Sequence, residues 1–101
     1  MQLLLYTQMN LKVQCINRLL DKKYGAELLD FLINEKFIDS KVYQNMDNNK
    51  SIAQATYLAI NTALSDGVLL LADFEWSLLP RERVHITIVA PKIHKEFSYD
   101  L

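Results

Sequence analysis

Apolar residues recur along residues 11–24 at a spacing that predicts a helix. Val13, Ile16, Leu20 and Tyr24 follow one another at three- and four-residue intervals, as on the buried face of an amphipathic helix. Asn10 precedes this run as the predicted N-cap. Gly25 follows it, and a glycine in the left-handed conformation is a common helix stop. We therefore expect the first helix to end at Gly25.

A second helical pattern occupies residues 26–37. Its apolar positions form a wide surface, made of Leu28, Leu29, Phe31, Leu32 and Ile33. Two helices that meet at an angle are one interpretation. A single continuous helix with a glycine inside is the other, at a cost of about 1 kcal/mol relative to alanine.

The third predicted helix, residues 51–65, contains no charged residue. Ser51 and Gln54 match a capping box at its start, and residues 66–67 supply the stop. Apolar positions surround nearly the whole helix axis, which indicates burial on more than one side. In so small a domain, such a helix is expected to need cover from the sheet and from another helix or a second molecule.

Alternating patterns over residues 68–76 and 84–90 predict two antiparallel strands. A hairpin around Pro80 pairs residues whose numbers sum to 160, which places Phe74 opposite Ile86 on the core face, the face that Val68 and Leu70 share by alternation. On the outer face it places Glu75 opposite His85. A slip by one residue would bury the acidic positions, so the pattern selects this register.

The remaining segments complete an α+β fold with about three helices and a three-stranded, mostly antiparallel sheet that includes a C-terminal hairpin. Residues 2–9 read as a strand that joins the hairpin. Residues 39–50 are rich in asparagine and aspartate, so we expect a surface loop. Residues 92–101 alternate and predict either an edge strand or an extended arm onto a partner.

Composition narrows the class of protein. The 101 residues carry 11 basic and 12 acidic side chains, and half of the residues are hydrophobic, which predicts one globular domain over residues 1–101. A single cysteine excludes an internal disulfide framework. No apolar run approaches the length of a membrane span, and residues 1–10 do not resemble a signal peptide. We therefore expect a cytoplasmic protein with no membrane partner.

The chain carries no catalytic signature, and we expect neither an enzyme nor a cofactor. Cys15, His85 and His94 do not match any metal-ligand spacing, and Cys15 is expected to be a buried, inert thiol. Asp73 and Glu75 share a strand face near His85. A solvated sheet face explains them better than an acid–base pair, which needs a pocket.

A protein-interaction surface is the best-supported functional hypothesis. The predicted hairpin tip sets Leu78 and Leu79 beside Arg81 and Arg83, and exposed apolar residues with arginine neighbours are typical of interfaces. The alternative for the leucines is that they fold back onto the core. The predicted partner-binding residues are Tyr57 on the charge-free helix, Leu78, Leu79, Arg81 and Arg83 at the tip, and Phe97 and Tyr99 in the tail. These predict a protein-binding inhibitor, adaptor or dimeric accessory protein, with a homodimer as the simplest assembly.

A winged-helix DNA-binding regulator is the alternative function. The order of three helices and a hairpin is compatible with it, and the tip arginines would lie in the wing. Residues 51–65 would then form the recognition helix, although it carries no lysine or arginine. Because the basic residues are scattered among acidic ones, the chain lacks the concentrated basic face that phosphate binding favours.

Overall fold

Three helices precede a three-stranded sheet in the computed structural model, which describes the backbone of residues 2–101 and the side chains of residues 11–101. The elements are α1 (Gln2–Asp21), α2 (Tyr24–Asn34), a 3-10 turn (Ser40–Tyr43), α3 (Asn49–Ser65), β1 (Leu71–Ser77), β2 (Arg83–Ala90) and β3 (Ile93–Asp100). This arrangement confirms the predicted α+β fold class. Within residues 2–101, no helix is both long enough and apolar enough to cross a bilayer.

The predicted strand over residues 2–9 is wrong, because α1 is one helix from Gln2 to Asp21. Asn10 consequently lies inside the helix and is not its N-cap. A short apolar run cannot be assigned to a strand or a helix by periodicity alone. The leucine, glutamine and methionine of this segment are strong helix formers, so the helix that follows extends backwards through it.

Gly25 does not stop a helix; it lies in the first turn of α2. The left-handed residue at this junction is Lys23, with a φ of 68°. Glycine is needed at position 25 because α1 and α2 meet there. A Cβ at this position would clash with Leu20 Cδ2 and would lie 2.9 Å from Leu20 Cα. The two-helix interpretation is therefore confirmed, for a different physical reason.

The start of α3 is capped by Asn48, whose Oδ1 accepts a hydrogen bond from the Ser51 backbone N–H at 2.9 Å. The predicted capping box of Ser51 and Gln54 is therefore wrong, because the N-cap lies one turn earlier, at Asn48. Only one face of α3 is fully buried, through Ala53, Thr56, Ile60 and Ala63. Burial on several sides, expected from the absence of charge, is also wrong, because an uncharged helix face can remain in contact with water.

The predicted hairpin register is confirmed at every pair. β1 and β2 are antiparallel with Leu71 opposite Val89, Phe74 opposite Ile86 and Ser77 opposite Arg83. The tail over residues 92–101 forms β3, which pairs antiparallel with β2 and completes the sheet in the order β1-β2-β3. The third strand is therefore C-terminal, and both sheet connections join neighbouring strands.

The core lies between the helices and one face of this sheet. Val84, Ile86 and Ile88 of the central strand are fully buried on that face. Alternation fails just before β1: Leu69 is buried, whereas Val68 and Leu70, predicted on the core face, are exposed. The reason is that β1 begins only at Leu71, so the preceding residues do not follow the strand period.

The polar segment between α2 and α3 is not entirely irregular. The Tyr43 hydroxyl, at the end of the 3-10 turn, lies 2.8 Å from the hydroxyl of the buried Thr56. Thr56 also donates to the Ile52 carbonyl one turn earlier. This contact attaches residues 35–48 to α3. The connection between α2 and α3, residues 35–48, is much longer than the three- to four-residue turn of a helix-turn-helix.

Candidate functional site

The connection between β1 and β2 projects two leucines into solvent. Leu78 is 65% exposed and Leu79 is 86% exposed. Strand pairing continues up to Ser77 and Arg83, so these leucines occur at the end of a regular ladder. The alternative that they fold back onto the core is thus wrong.

An apolar groove runs from this tip along β1 towards α1. It has a volume of about 440 Å³. Among residues 11–101, its walls are Leu11, Lys12 and Cys15 from α1, Phe74 and Trp76 from β1, and Leu78 from the tip. Leu11 is itself 51% exposed. We call this feature the α1–β1 groove; it joins the exposed leucine of the tip to two half-buried aromatic rings.

Glu82 holds the tip against the rest of the molecule. One carboxylate oxygen accepts a hydrogen bond from Arg18 of α1 at 2.9 Å. The other accepts from the Trp76 indole N–H at 3.2 Å. The Glu82 backbone carbonyl also accepts from the Leu101 N–H. The groove wall and the tip are therefore connected through one side chain, which the sequence patterns do not identify.

The two predicted tip arginines both face the end of β3. Arg83 lies 2.8 Å from an Asp100 carboxylate oxygen and Arg81 lies 3.8 Å from the other. The hydrogen bond from Arg83 holds the pKa of Asp100 below its usual value. Both side chains remain largely exposed, so they can still contact a partner. Their charge, however, is partly compensated within the chain.

Phe97 and Tyr99 do not belong to an accessible surface. Their exposed fractions are 4% and 9%, since both point from β3 into the core. Tyr24 stacks on Tyr99 with ring centroids 4.6 Å apart, and Phe31 meets Phe97 edge-on at 5.5 Å. Burial raises the pKa of Tyr99 well above its ordinary value. We therefore correct the predicted site by removing these two residues.

Tyr57 is half-buried on α3 and does not line the groove. The exposed positions of α3 are Asn49, Lys50, Gln54, Leu58, Asn61, Thr62 and Ser65. Between residues 51 and 65 this face is uncharged, as the sequence indicated, and Lys50 in the first turn is the charged residue of α3. Leu58 stands alone on it as a large apolar side chain, 60% exposed.

The acidic pair on β1, Asp73 and Glu75, lies on the exposed outer face of the sheet. His85 lies opposite Glu75 in the register, as predicted, but its Nε2 contacts Glu96 of β3 at 3.0 Å. Within the described residues, no cluster of three histidine, cysteine or acidic side chains has a geometry suited to a metal ion.

Cys15 is buried at the base of the α1–β1 groove. Desolvation raises the pKa of its thiol to about 12. A thiol held in this way is a poor nucleophile at neutral pH, because the thiolate is the reactive form. Cys15 is therefore a packing residue of the groove.

No family model matches the chain, and neither a curated protein nor a solved structure is found to be similar to it. The functional conclusion consequently rests on the tip and the groove themselves.

Proposed function

We propose that this protein is a small, non-catalytic interaction module that binds a partner protein through the α1–β1 groove and the adjoining hairpin tip. The observation that carries the proposal is the exposure of Leu78 and Leu79 beside the groove. Contiguous apolar surface of this kind typically marks an interaction site. Burying the two leucines in a complex would remove this surface from water.

The composition of the surface supports a protein as the bound species. Aromatic residues and arginine are enriched at the centres of protein interfaces. Here Trp76 lines the groove, and Arg81 and Arg83 border the tip. The single cysteine is buried and fits a reducing compartment such as the cytoplasm. An inhibitor or adaptor acts by covering a target's surface, and this arrangement suits such a role.

Binding to duplex DNA is the weaker proposal. The exposed residues of α3 include a single cation, Lys50 in the first turn, and both tip arginines face Asp100. DNA binding relies on several cations that replace phosphate counterions. Titration of random duplex DNA at two salt concentrations distinguishes the functions, since only phosphate binding weakens steeply with salt.

Comparative capture from cells of the source organism tests the proposal. The bait proteins are the wild type, the tip variant Leu78→Asp/Leu79→Asp, and the control variant Leu58→Asp. The control introduces the same acidic side chain at a comparably exposed leucine on α3, outside the groove. We expect a partner that the wild type and the control retain and that the tip variant loses.

A partner found in this way is then purified and titrated against the same three proteins. The dissociation constant should rise at least about tenfold for the tip variant alone, as expected for the loss of an interface anchor. Equal affinity for all three, with each variant folded by circular dichroism, would remove the tip and groove from the function. Size-exclusion chromatography with light scattering identifies the homodimer, the other assembly that the sequence suggested, by a mass of twice 11.7 kDa.

A further inference from the structure

β1 is an edge strand of the sheet. β2 pairs with one side of its backbone, and no strand within residues 2–101 pairs with the other side. An edge strand presents unpaired backbone N–H and C=O groups, and an extended segment of another protein can complete that ladder. The α1–β1 groove lies along the core-facing side of this same strand. Backbone pairing and apolar contact are thus available to one ligand at one place.

The acidic residues of the two edge strands, β1 and β3, differ in whether a basic side chain pairs with them. On β3, Asp100 contacts Arg83 and Glu96 contacts His85. On β1, Asp73 and Glu75 are both exposed and form no ion pair among residues 11–101. Residues 1–10 contain no lysine, arginine or histidine. The outer face of β1 therefore favours basic side chains on a neighbouring strand, where opposite charges stabilise cross-strand pairs.

The other face of β1 selects apolar side chains. A strand added beside β1 would direct alternate residues towards Phe74 and Trp76, into the groove. Lys12 lies in the groove wall and would repel a basic side chain on that side. The two faces together specify a segment in which basic and apolar residues alternate. A shift by one residue would place the basic residues beside Lys12.

Building on the function proposed above, we propose that β1 is a docking edge for an extended segment of a partner protein in which basic and apolar residues alternate. The partner's basic residues pair with Asp73 and Glu75, and its apolar residues fill the α1–β1 groove. A second copy of this chain fits poorly. Antiparallel pairing of β1 with another β1 would bring the acidic residues of the two copies together on one face, which is destabilising.

A peptide titration tests the charge preference. The probe is a fluorescent seven-residue peptide alternating lysine with isoleucine, and its counterpart carries glutamate in place of lysine. We expect the wild type to bind the lysine peptide about tenfold more tightly. Asp73→Lys/Glu75→Lys should reverse that order. Asp30→Lys/Glu35→Lys changes the net charge equally at two exposed positions, one in α2 and one directly after it, and should preserve the wild-type order.

Backbone methylation of the lysine peptide tests for strand addition itself. In an antiparallel ladder, alternate residues direct their N–H groups to the neighbouring strand. Methylating one alternating set of nitrogens should therefore abolish binding, whereas methylating the other set should preserve it. Equal affinity for both methylated peptides would overturn strand addition, because simple charge attraction does not distinguish them.

The outcomes separate this inference from the proposed function. Absence of a preference for lysine, or an unchanged preference after the β1 charge reversal, overturns the docking edge even if the tip variant still loses its partner. A wild type of twice 11.7 kDa that becomes monomeric in Leu78→Asp also overturns it, because the groove would then hold a second copy. Two results together support the docking edge: the β1 variant prefers the glutamate peptide, and only one of the two methylated peptides binds.

Discussion

Trp76 and Glu82 are joined by a hydrogen bond of 3.2 Å from the indole Nε1 to a carboxylate oxygen, which connects β1 to the end of the hairpin tip. The second oxygen of Glu82 meets Arg18 of α1. A residue of the connection thereby fixes the orientation of an aromatic groove wall relative to the helix opposite.

Replacing Glu82 by alanine should destabilise the fold by about 1–2 kcal/mol. The change removes the acceptor for Trp76 and Arg18, both of which are partly shielded from water, and unpaired polar groups of this kind are costly. Urea denaturation followed by circular dichroism measures the loss. Glu96→Ala is the control, because its contacts with His85 and His94 are exposed and such pairs contribute at most about 1 kcal/mol. Equal losses for the two variants would contradict the role of Glu82.

Truncating a side chain of the central strand β2 should destabilise the fold far more on the core face than on the outer face. Ile86 is fully buried on the core face, whereas the neighbouring Thr87 faces outward. We expect Ile86→Ala to lower the free energy of unfolding by about 2–5 kcal/mol and Thr87→Ala by at most about 1 kcal/mol. Chemical denaturation of both proteins checks this. Similar losses would mean that the assigned faces of β2 are incorrect.

Replacing either glycine by alanine should destabilise the fold, but for a different reason in each case. Gly25→Ala places a methyl group against both the side chain and the backbone of Leu20, so we expect a loss of about 1–3 kcal/mol from overpacking. Gly67 has a φ of 76° and no atom near the position of an added Cβ. Its replacement should cost only the left-handed strain, about 1–2 kcal/mol.

A second substitution in each case separates crowding from strain. Leu20→Ala makes room beside position 25, so its combination with Gly25→Ala should lose less than the sum of the single changes. No such coupling is expected between Leu20→Ala and Gly67→Ala. Additive losses at position 25, measured by thermal and urea unfolding, would argue against a close approach of α1 and α2.

Stability should fall at alkaline pH because burial raises the pKa of Cys15 from 9.0 to about 12. Between these values the folded protein retains a proton that the unfolded chain releases. The contribution is therefore fully present below about pH 9 and is lost as the pH rises through about 12, by up to about 1.4 kcal/mol per pH unit. Burial also raises the pKa of Tyr43 and Tyr99, and both act in the same direction.

The variant Cys15→Ala isolates the thiol contribution. Its free energy of unfolding should decline less steeply than that of the wild type between about pH 9 and about pH 11. The comparison of slopes remains valid even if the substitution lowers stability at every pH. In the wild type, alkylation of Cys15 at neutral pH should be slow when the protein is folded and fast in urea. Parallel pH profiles for the two proteins would contradict the assigned pKa.

Local pattern was sufficient for the hairpin register and the fold class. A slip of the hairpin by one residue would have placed Asp73 and Glu75 in the core. Only the register that pairs Phe74 with Ile86 avoided this. The uncharged segment 51–65 and the stop at residues 66–67 likewise predicted the extent of α3 to within two residues. The exposure of the tip leucines was one of two alternatives, because a sequence does not reveal whether a loop bends back.

Tertiary packing decided the features that involve distant segments. Phe97 and Tyr99 alternate in a manner that suits a partner surface, but the aromatic rings of α2 cover them. His85 has two acidic neighbours, and only the addition of β3 decided that Glu96 receives the hydrogen bond. The groove and its Glu82 contact involve α1, β1 and the tip together, and no periodicity within one segment encodes their approach.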